Sequence, residues 1–425
     1  MGKERMFEVE KTNERVILVG VCTGQESDVQ ESLDELEELV KTAGAVCAGR
    51  LVQNREQIHP GTYVGMGKLQ EIKDLLWETE AVGIVCDDEL SPAQIGNLKE
   101  ELNTKIMDRT LLILDIFASR ATTSEGKIQV ELAQLKYRQS RLTGFGTSLS
   151  RLGGGIGTRG PGEKKLETDR RLIKSRIARL NRDLKEIKNH REVTREQRKR
   201  EMFPVIAIVG YTNAGKSTLL NRLTGAEVLA EDKLFATLDA TTRGYCLPGG
   251  QQILFTDTVG FIRKLPHHLV EAFRSTLEEA RYADVILHVV DAASPQMDVQ
   301  MHIVYETLQN LGIQNKPVIT AFNKQDLLTE QEVLRDFKAD ETVHLSALTG
   351  EGIDSLEERI EKVLREQKIA VEHVFSYRDA ARLQSIRKFG ELVSEEYLEE
   401  GIAVKAYVPV RLYKQLLEDG ERLWF

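Results

Sequence analysis

VIAIVGYTNAGKSTLLNRLTG, residues 205 to 225, decides the fold, because its three parts have only one common arrangement. VIAIVG is a short apolar run of the kind buried in a parallel sheet, and STLLNRLTG has helical periodicity that stops at Gly225. Between them lies GYTNAGKS, residues 210 to 217. Gly210 and Gly215 permit backbone angles that turn the N–H groups of Tyr211, Thr212, Asn213 and Ala214 inward, at the positive end of the following helix. Such a loop cradles a di- or triphosphate, with Lys216 supplying a mobile positive charge and the Ser217 hydroxyl placed for Mg²⁺. The fold class that follows is α/β: a P-loop domain with a parallel or mixed sheet and helices on both faces.

Further along, ILFTDTVG (253 to 260) puts Asp257 at a strand end, where a carboxylate holds a magnesium-bound water. Thr258 and Val259 lead to Gly260, whose N–H can meet a γ-phosphate. KPVITAFNKQD (316 to 326) is again strand then loop, ending in Asn323, Lys324, Gln325 and Asp326. The Asp326 carboxylate can accept two hydrogen bonds from an edge that guanine has and adenine lacks; the wrong base leaves that charge unpaired, so discrimination is steep. Ser346, Ala347 and Leu348 in HLSALTG match a last base-contacting loop. Together these residues imply GTP as substrate. A switch threonine completing a magnesium shell belongs in LFATLDATTRG (234 to 244), where Thr237, Thr241 and Thr242 compete.

Many GTPases place glutamine directly after the DxxG glycine to orient the attacking water. Here that position is Phe261. An apolar ring cannot position water, so hydrolysis is expected to be slow alone and stimulated by a large partner docking near the switches.

At 425 residues the chain is too long for one core. The expected division is an N-terminal α/β domain over 1–124, a helical hairpin over 125–200, the GTP-binding domain over 201–367 and a small α+β domain over 368–425. No apolar run is long enough to span a bilayer and the start, MGKERMFEVEKTNERV, does not read as a signal peptide, so a cytoplasmic monomer without integral membrane association is expected. Cys22, Cys47, Cys86 and Cys246 lack metal spacing and read as buried, inert thiols. In YVGMGKLQE, residues 63 to 71, GMGK resembles a phosphate-loop fragment but lacks the full spacing, and reads as a turn before a helix.

Charge is distributed unevenly. Residues 136 to 201 hold twenty Lys or Arg against eight Asp or Glu, a local +12 within a chain of net −9. An acidic protein with one basic arm is suited to offering that arm to a polyanion. Within it Leu166, Ile173, Leu180 and Ile187 recur by seven, with Ile177 and Leu184 between, and upstream Ile128, Leu135 and Leu142 do the same with Leu132. The spacing predicts two antiparallel helices packed along these seams. Their connection, residues 144 to 162, has eight glycines and no acidic residue. A loop of that length and composition at the tip of a basic hairpin fits a probe that orders on RNA; nothing indicates DNA.

Taken in order, DRTLLILDIFASRA (108 to 121), GKIQVELAQLKYRQSRLTG (126 to 144), GGGIGTRGPGEKKLETDRR (153 to 171), GYTNAGKSTLLNRLTG, FATLDATTR, DTVGFIRKLPHHLVEAF and NKQD resemble the HflX family of GTPases. The resemblance covers about residues 10 to 365. It implies a GTPase that binds the large ribosomal subunit, helps split or rescue stalled ribosomes under stress, and hydrolyses GTP faster when bound. On that pattern Ser217 and Thr237 contact Mg²⁺, Lys216 the phosphates, and Asn323 and Asp326 the guanine. FATLD (Phe235, Ala236, Thr237, Leu238, Asp239) resembles the first switch, which favours Thr237 over Thr241; catalytic roles fall to Lys216, Thr237 and Gly260. Ala240 stands where other members often have proline.

Overall fold

The computed structural model describes residues 13–24, 26–149, 161–200, 203–225, 234–235, 241–264, 279–328 and 334–417. Two compact units emerge: Met1–Asp183 with Lys264–Ala272, and Leu184–Arg263 with Phe273–Phe425.

Four strands form the sheet of the first unit: β1 (Arg15–Cys22), β2 (Val46–Asn54), β3 (Gly83–Cys86) and β4 (Lys105–Asp108). Their order is β2-β1-β3-β4, and every neighbouring pair is parallel. A parallel sheet needs a crossover between successive strands, and helices α1 (Glu26–Thr42), α2 (Met66–Thr79) and α3 (Pro92–Leu102) supply them. Ile17, Val19, Ile84 and Cys86 on the strands meet Leu69, Ile72 and Leu98 of α2 and α3 in one apolar core. GMGK sits at the turn into α2, with the Gly65 N–H donating to Gln53 Oε1 at 2.7 Å and Lys68 paired with Glu71. Gly65 opens the helix without a side-chain cap.

Helix α4 (Arg109–Arg120) follows β4 directly, and then come α5 (Ser124–Leu149) and α6 (Pro161–Arg200). Arg176 of α6 grips Glu131 of α5 through two bonds of 2.7 and 2.9 Å. Leu132 and Leu180 are buried, and Ile128, Leu135, Leu142, Ile173, Ile177, Leu184 and Ile187 are half-buried. On α6 the neighbours of Ile173 and Ile177 are exposed, whereas on α5 Gln129, Ala133 and Tyr137 are buried too, so burial there is broader than the heptad positions. The glycine-rich connection is shorter than its composition suggests, because α5 runs on through Leu149 and α6 begins at Pro161. Gly144 and Gly146 are carried inside a helix whose preceding turns are already packed, which offsets their poor propensity. Residues 150 to 160 lie outside the described residues.

In the second unit a six-stranded sheet has the order β10-β9-β8-β5-β7-β6. Its strands are β5 (Val205–Gly210), β6 (Thr241–Cys246), β7 (Gln252–Asp257), β8 (Val285–Asp291), β9 (Val318–Asn323) and β10 (Glu341–His344). All pairs are parallel except β6 with β7, so the sheet is mixed only at that edge. Helices α7 (Lys216–Thr224), α8 (Met297–Asn310) and α9 (Ile353–Glu366) connect or follow the strands. Ile206, Ile208, Phe255, Leu287, Leu219 and Ile360 are all fully buried between sheet and helices.

The chain then forms a three-stranded antiparallel sheet, β11 (Lys368–Phe375), β12 (Glu391–Leu398) and β13 (Gly401–Pro409), in the order β11-β13-β12. Helices α10 (Ala380–Phe389) and α11 (Val410–Leu417) pack Leu383, Ile386, Leu412 and Leu416 against Val371, Val404 and Val408. Trp424 and Phe425, read from sequence as packing residues, lie outside the described residues. The cysteine expectation needs correcting: Cys22 and Cys86 are buried, but Cys47 is half-buried and Cys246 is exposed. Cys246 ends an edge strand, where alternation turns its side chain outward.

Candidate nucleotide site

The loop between β5 and α7 lies at the carboxyl edge of the sheet, where parallel strands deliver their following loops to one side. Gly215 begins the turn into α7 at φ +92°, and a Cβ there would come within 2.2 Å of Asn323 Nδ2. Only glycine fits. The same Asn323 amide donates to the Ala214 carbonyl at 2.8 Å, and its Oδ1 accepts from the Ala347 N–H at 2.8 Å. One side chain thus stitches the phosphate loop to the two loops expected to hold the base.

Lys216 is buried and donates from Nζ to the Tyr211 carbonyl at 2.6 Å. Burial pulls its pKa down to about 8, with the Asp257 charge acting the other way. Ser217 Oγ donates to Asp257 Oδ2 at 2.9 Å, so the two oxygens expected near a magnesium ion are already adjacent. Asp257 is held from behind by the Thr258 N–H at 3.0 Å, and the Thr258 hydroxyl is tied to the Ile208 carbonyl at 2.8 Å. Among the described residues the buried Thr212 hydroxyl has no hydrogen-bond partner. Two of the amides expected to face a phosphate are spent within the protein, Thr212 N–H on the Phe261 carbonyl and Ala214 N–H on the Tyr211 carbonyl at 3.3 Å, because the segment after Asp257 packs on the loop.

The segment after Asp257 folds onto the loop. Phe261 donates its N–H to the Gly210 carbonyl at 3.1 Å and accepts at its own carbonyl from the Thr212 N–H at 2.8 Å. The Arg263 N–H donates to the Tyr211 hydroxyl at 2.8 Å. Gly260 lies so close to the loop that a Cβ would stand 2.9 Å from Thr212 Cα and 3.0 Å from Lys216 Nζ. Phe261 is 2 % exposed.

At the far end, Asp326 Oδ1 accepts from Ser346 Oγ at 2.6 Å, and Lys324 Nζ pairs with Asp291 Oδ2 at 2.7 Å. Gln325 Nε2 donates to the Phe322 carbonyl at 3.2 Å, and Leu348 is exposed.

Comparison with known proteins agrees with this geometry. Residues 30–118 match the model described as GTP-binding GTPase N-terminal, 120–198 that for the GTP-binding GTPase middle region, and 205–324 that for a 50S ribosome-binding GTPase. A GTPase HflX of Lacrimispora saccharolytica is 64 % identical over 416 residues, covering 98 % of each chain. The chain belongs to the HflX family of GTPases. It is a GTP hydrolase with a P-loop α/β core. GTPase HflX of Escherichia coli K12 is 40 % identical over 423 residues, covering 98 % of this chain and 99 % of that protein. A GTP-binding protein of Sulfolobus solfataricus, solved with GDP, is similar at 25 % identity and a TM-score of 0.44, covering 82 % of this chain and 98 % of that one.

The residues expected from sequence at 210–217, 257–260, 323–326 and 346–348 all stand around the carboxyl edge of β5, β7, β9 and β10. Ala236, Thr237, Leu238, Asp239 and Ala240 lie outside the described residues, while Phe235 is buried at φ +57°. Thr241 and Thr242 belong to β6, opposite Asp257 and Thr256, and the Thr242 hydroxyl is 3.0 Å from that of Thr256. Sequence reasoning did not single out Asp291, which closes β8 and anchors Lys324. An acidic residue ending an apolar strand run, VILHVVD, was the available signal. Nor did it foresee that both polar groups of Asn323 engage protein partners.

Proposed function

We propose that the chain binds the large ribosomal subunit and couples GTP binding and hydrolysis to splitting or rescue of stalled or idle ribosomes. The observation that carries this reading is the buried Phe261 ring beside a complete phosphate loop. The site can hold the triphosphate but has no side chain after Gly260 to orient the attacking water, so turnover depends on a partner. The basic hairpin supports a partner rich in RNA, since backbone phosphates reward concentrated Lys and Arg.

In the proposed site Lys216 holds the phosphates together with loop amides other than those of Thr212 and Ala214, which meet the Phe261 and Tyr211 carbonyls. Gly260 presents its N–H to the γ-phosphate. Ser217 and Thr237 would hold Mg²⁺, with Asp257 behind, and the ion would supply positive charge to the phosphates. Thr237 is preferred over Thr241 because FATLD resembles the first switch of the family. Asp326 reads guanine, with Ser346 orienting its carboxylate. Among the described residues no helix is long and apolar enough to cross a membrane.

Co-sedimentation with large ribosomal subunits and a non-hydrolysable GTP analogue tests the proposal. Full-length protein should pellet with the subunits, and a chain lacking residues 150–160, which leaves both helix ends intact, should bind GTP but pellet poorly. Unchanged pelleting would remove the hairpin tip as the ribosomal contact. Binding without any splitting of intact ribosomes would instead favour a GTP-gated RNA-binding scaffold or an assembly GTPase.

A further inference from the structure

We propose that Lys368 is a positioning residue for the γ-phosphate side of the nucleotide site, acting by clamping the β6–β7 hairpin to the C-terminal sheet. The inference rests on the reading that places the γ-phosphate beside Gly260 and Asp257, and it gives the C-terminal domain a part in GTP binding.

Among the described strands β6 is an edge strand, paired with β7 alone. It begins at Thr241, just after the stretch in which the switch threonine is expected, and β7 ends at Asp257, which takes the Ser217 hydroxyl. Thr241 and Asp257 face each other in the ladder. The site end of the hairpin is thus one end of a ribbon about 20 Å long, and its position depends on how the other end is held. A two-stranded ribbon is marginal by itself, so its tip needs outside support.

At the tip Leu247 sinks into the core, and its N–H meets the Gln251 carbonyl at 2.9 Å. The Gly249 N–H donates to Glu361 Oε1 of α9 at 2.8 Å, and Tyr245 donates its hydroxyl to Glu357 on the same helix. These bonds keep the hairpin within the GTP-binding core. A further fastening leaves that core. Gln251, 3 % exposed, accepts at Oε1 from Lys368 Nζ at 2.6 Å, and Lys368 is the first residue of β11.

Lys368 is set in a buried polar relay. Its Nζ lies 3.4 Å from Glu391 Oε2 on β12, and Glu391 also accepts from Nε and Nη2 of Arg365 in the last turn of α9. Only 4 % of the Lys368 side chain is exposed, and burial pulls its pKa below the ordinary lysine value, with the Glu391 charge opposing. A buried ammonium costs more than an apolar side chain of similar size, so packing alone does not account for it. Gln251 leaves its Nε2 buried and without a partner among the described residues, so the worth of that amide lies in the bond at Oε1.

This bond can be broken without losing the fold. In Lys368→Met, Glu391 keeps Arg365, and Leu247 and the α9 bonds still seat the hairpin, so no buried charge is stranded. A looser tip lets Asp257 and the start of β6 shift together. GTP, whose third phosphate lies on that side, then loses affinity, while GDP, held by Lys216 and the loop, does not.

The test is equilibrium binding of GDP and of a non-hydrolysable GTP analogue to the full chain carrying Lys368→Met, Gln251→Met, both, or Gln251→Glu, beside amide exchange at Leu247 and Gly250. Lys368→Met should weaken the GTP analogue about three- to tenfold with GDP unchanged, part of what a charge-assisted hydrogen bond is worth. Gln251→Met should do the same, and the double variant no more than either single one, because each removes the same bond. Gln251→Glu, which still offers Lys368 an oxygen, should keep the wild-type ratio of affinities. Exchange at the tip should quicken in the Met variants alone. Equal loss of GTP and GDP, or single effects that add in the double variant, overturns the positioning role; tip exchange unchanged in Lys368→Met overturns the clamp itself. An Asp257→Asn chain that keeps the wild-type ratio would instead overturn the placement of the γ-phosphate, and tip exchange would still decide the clamp.

Discussion

Two parallel sheets in this chain present the same kind of edge, and the two edges do opposite things. In the first unit the carboxyl ends of β3 and β4 carry Asp87, Asp88 and Asp108, and each carboxylate is already occupied by Arg109, Lys264, Tyr63, Tyr137 or Arg141. In the second unit the carboxyl ends of β5 and β7 carry a glycine loop whose lysine donates to a backbone carbonyl and whose Thr212 hydroxyl is unpartnered among the described residues. Parallel topology delivers loops to one side in both cases. Whether that edge becomes a ligand site depends on whether the chain's own side chains fill it. The GMGK turn makes the same point, since Gln53 and Glu71 use up the groups that might have met a phosphate.

The contrast can be broken most forcefully at Arg109. Replacing it with Met leaves buried Asp87 with only Lys264 as a cation and half-buried Glu35 without this cation, and should destabilise the first unit by about 3 kcal/mol. Amide exchange at β1 and β3 would register the loss, while GTP binding in the second unit should persist if the units unfold independently. Exchange unchanged at those strands would mean the charges are not what closes that edge.

Gly215→Ala attacks the open edge. A methyl group at φ +92°, pressed on Asn323, costs about 3 kcal/mol and should weaken GTP binding about a hundredfold. Equilibrium titration with a fluorescent nucleotide would measure it, and a loss under about threefold would contradict the stitched geometry.

Buried His288, on β8, gives a smaller, pH-dependent effect. Burial lowers its pKa to about 4, with Asp336 opposing and Lys216 reinforcing the shift. The unfolded ring takes its proton near pH 6.5 and the folded one only near 4, so stability is complete above 6.5 and falls as pH drops through that window. About 2–3 kcal/mol should disappear from the second unit between those limits, and His288→Phe should remove that part of the slope. An identical slope in the variant would assign the loss to other groups.

Smallest is the titration of Lys216. With its pKa lowered to about 8, the nucleotide-free lysine loses its proton above that pH, and phosphate must restore it. GTP affinity should therefore fall by up to about tenfold per pH unit above 8, with uptake of a proton visible by calorimetry in buffers of different ionisation heat. Affinity flat to pH 9.5 would show that Lys216 keeps its charge in the empty site.

Much of this was legible in the sequence where local chemistry is decisive. Gly210, Gly215, Lys216 and Ser217 follow from what a phosphate loop requires, and the leucines and isoleucines of the arm from a period of seven that the burial pattern reproduces on α6. Strand β4, helix α3 and the strands β11 and β12 were not legible. β4 is only four residues long, and β12 alternates weakly because most of its side chains stay exposed. The extent of α5 past Gly144 was hidden too, since glycine content argues for a loop and only packing of the earlier turns carries the helix onward.

By itself the sequence determined the chemistry: a guanine nucleotide, a phosphate loop lacking a water-orienting glutamine, and a basic arm on an otherwise acidic chain. These are properties of residue type and short spacing, which no fold can alter. Tertiary structure decided which charges would be available. Asp87, Asp108 and Arg109 look like any exposed polar residues in a string, as does Lys264, 155 positions after Arg109. Only folding brings strand ends, an arm helix and the residue behind DxxG to one edge. There, desolvation makes an unpaired charge costly and pairing between distant residues compulsory.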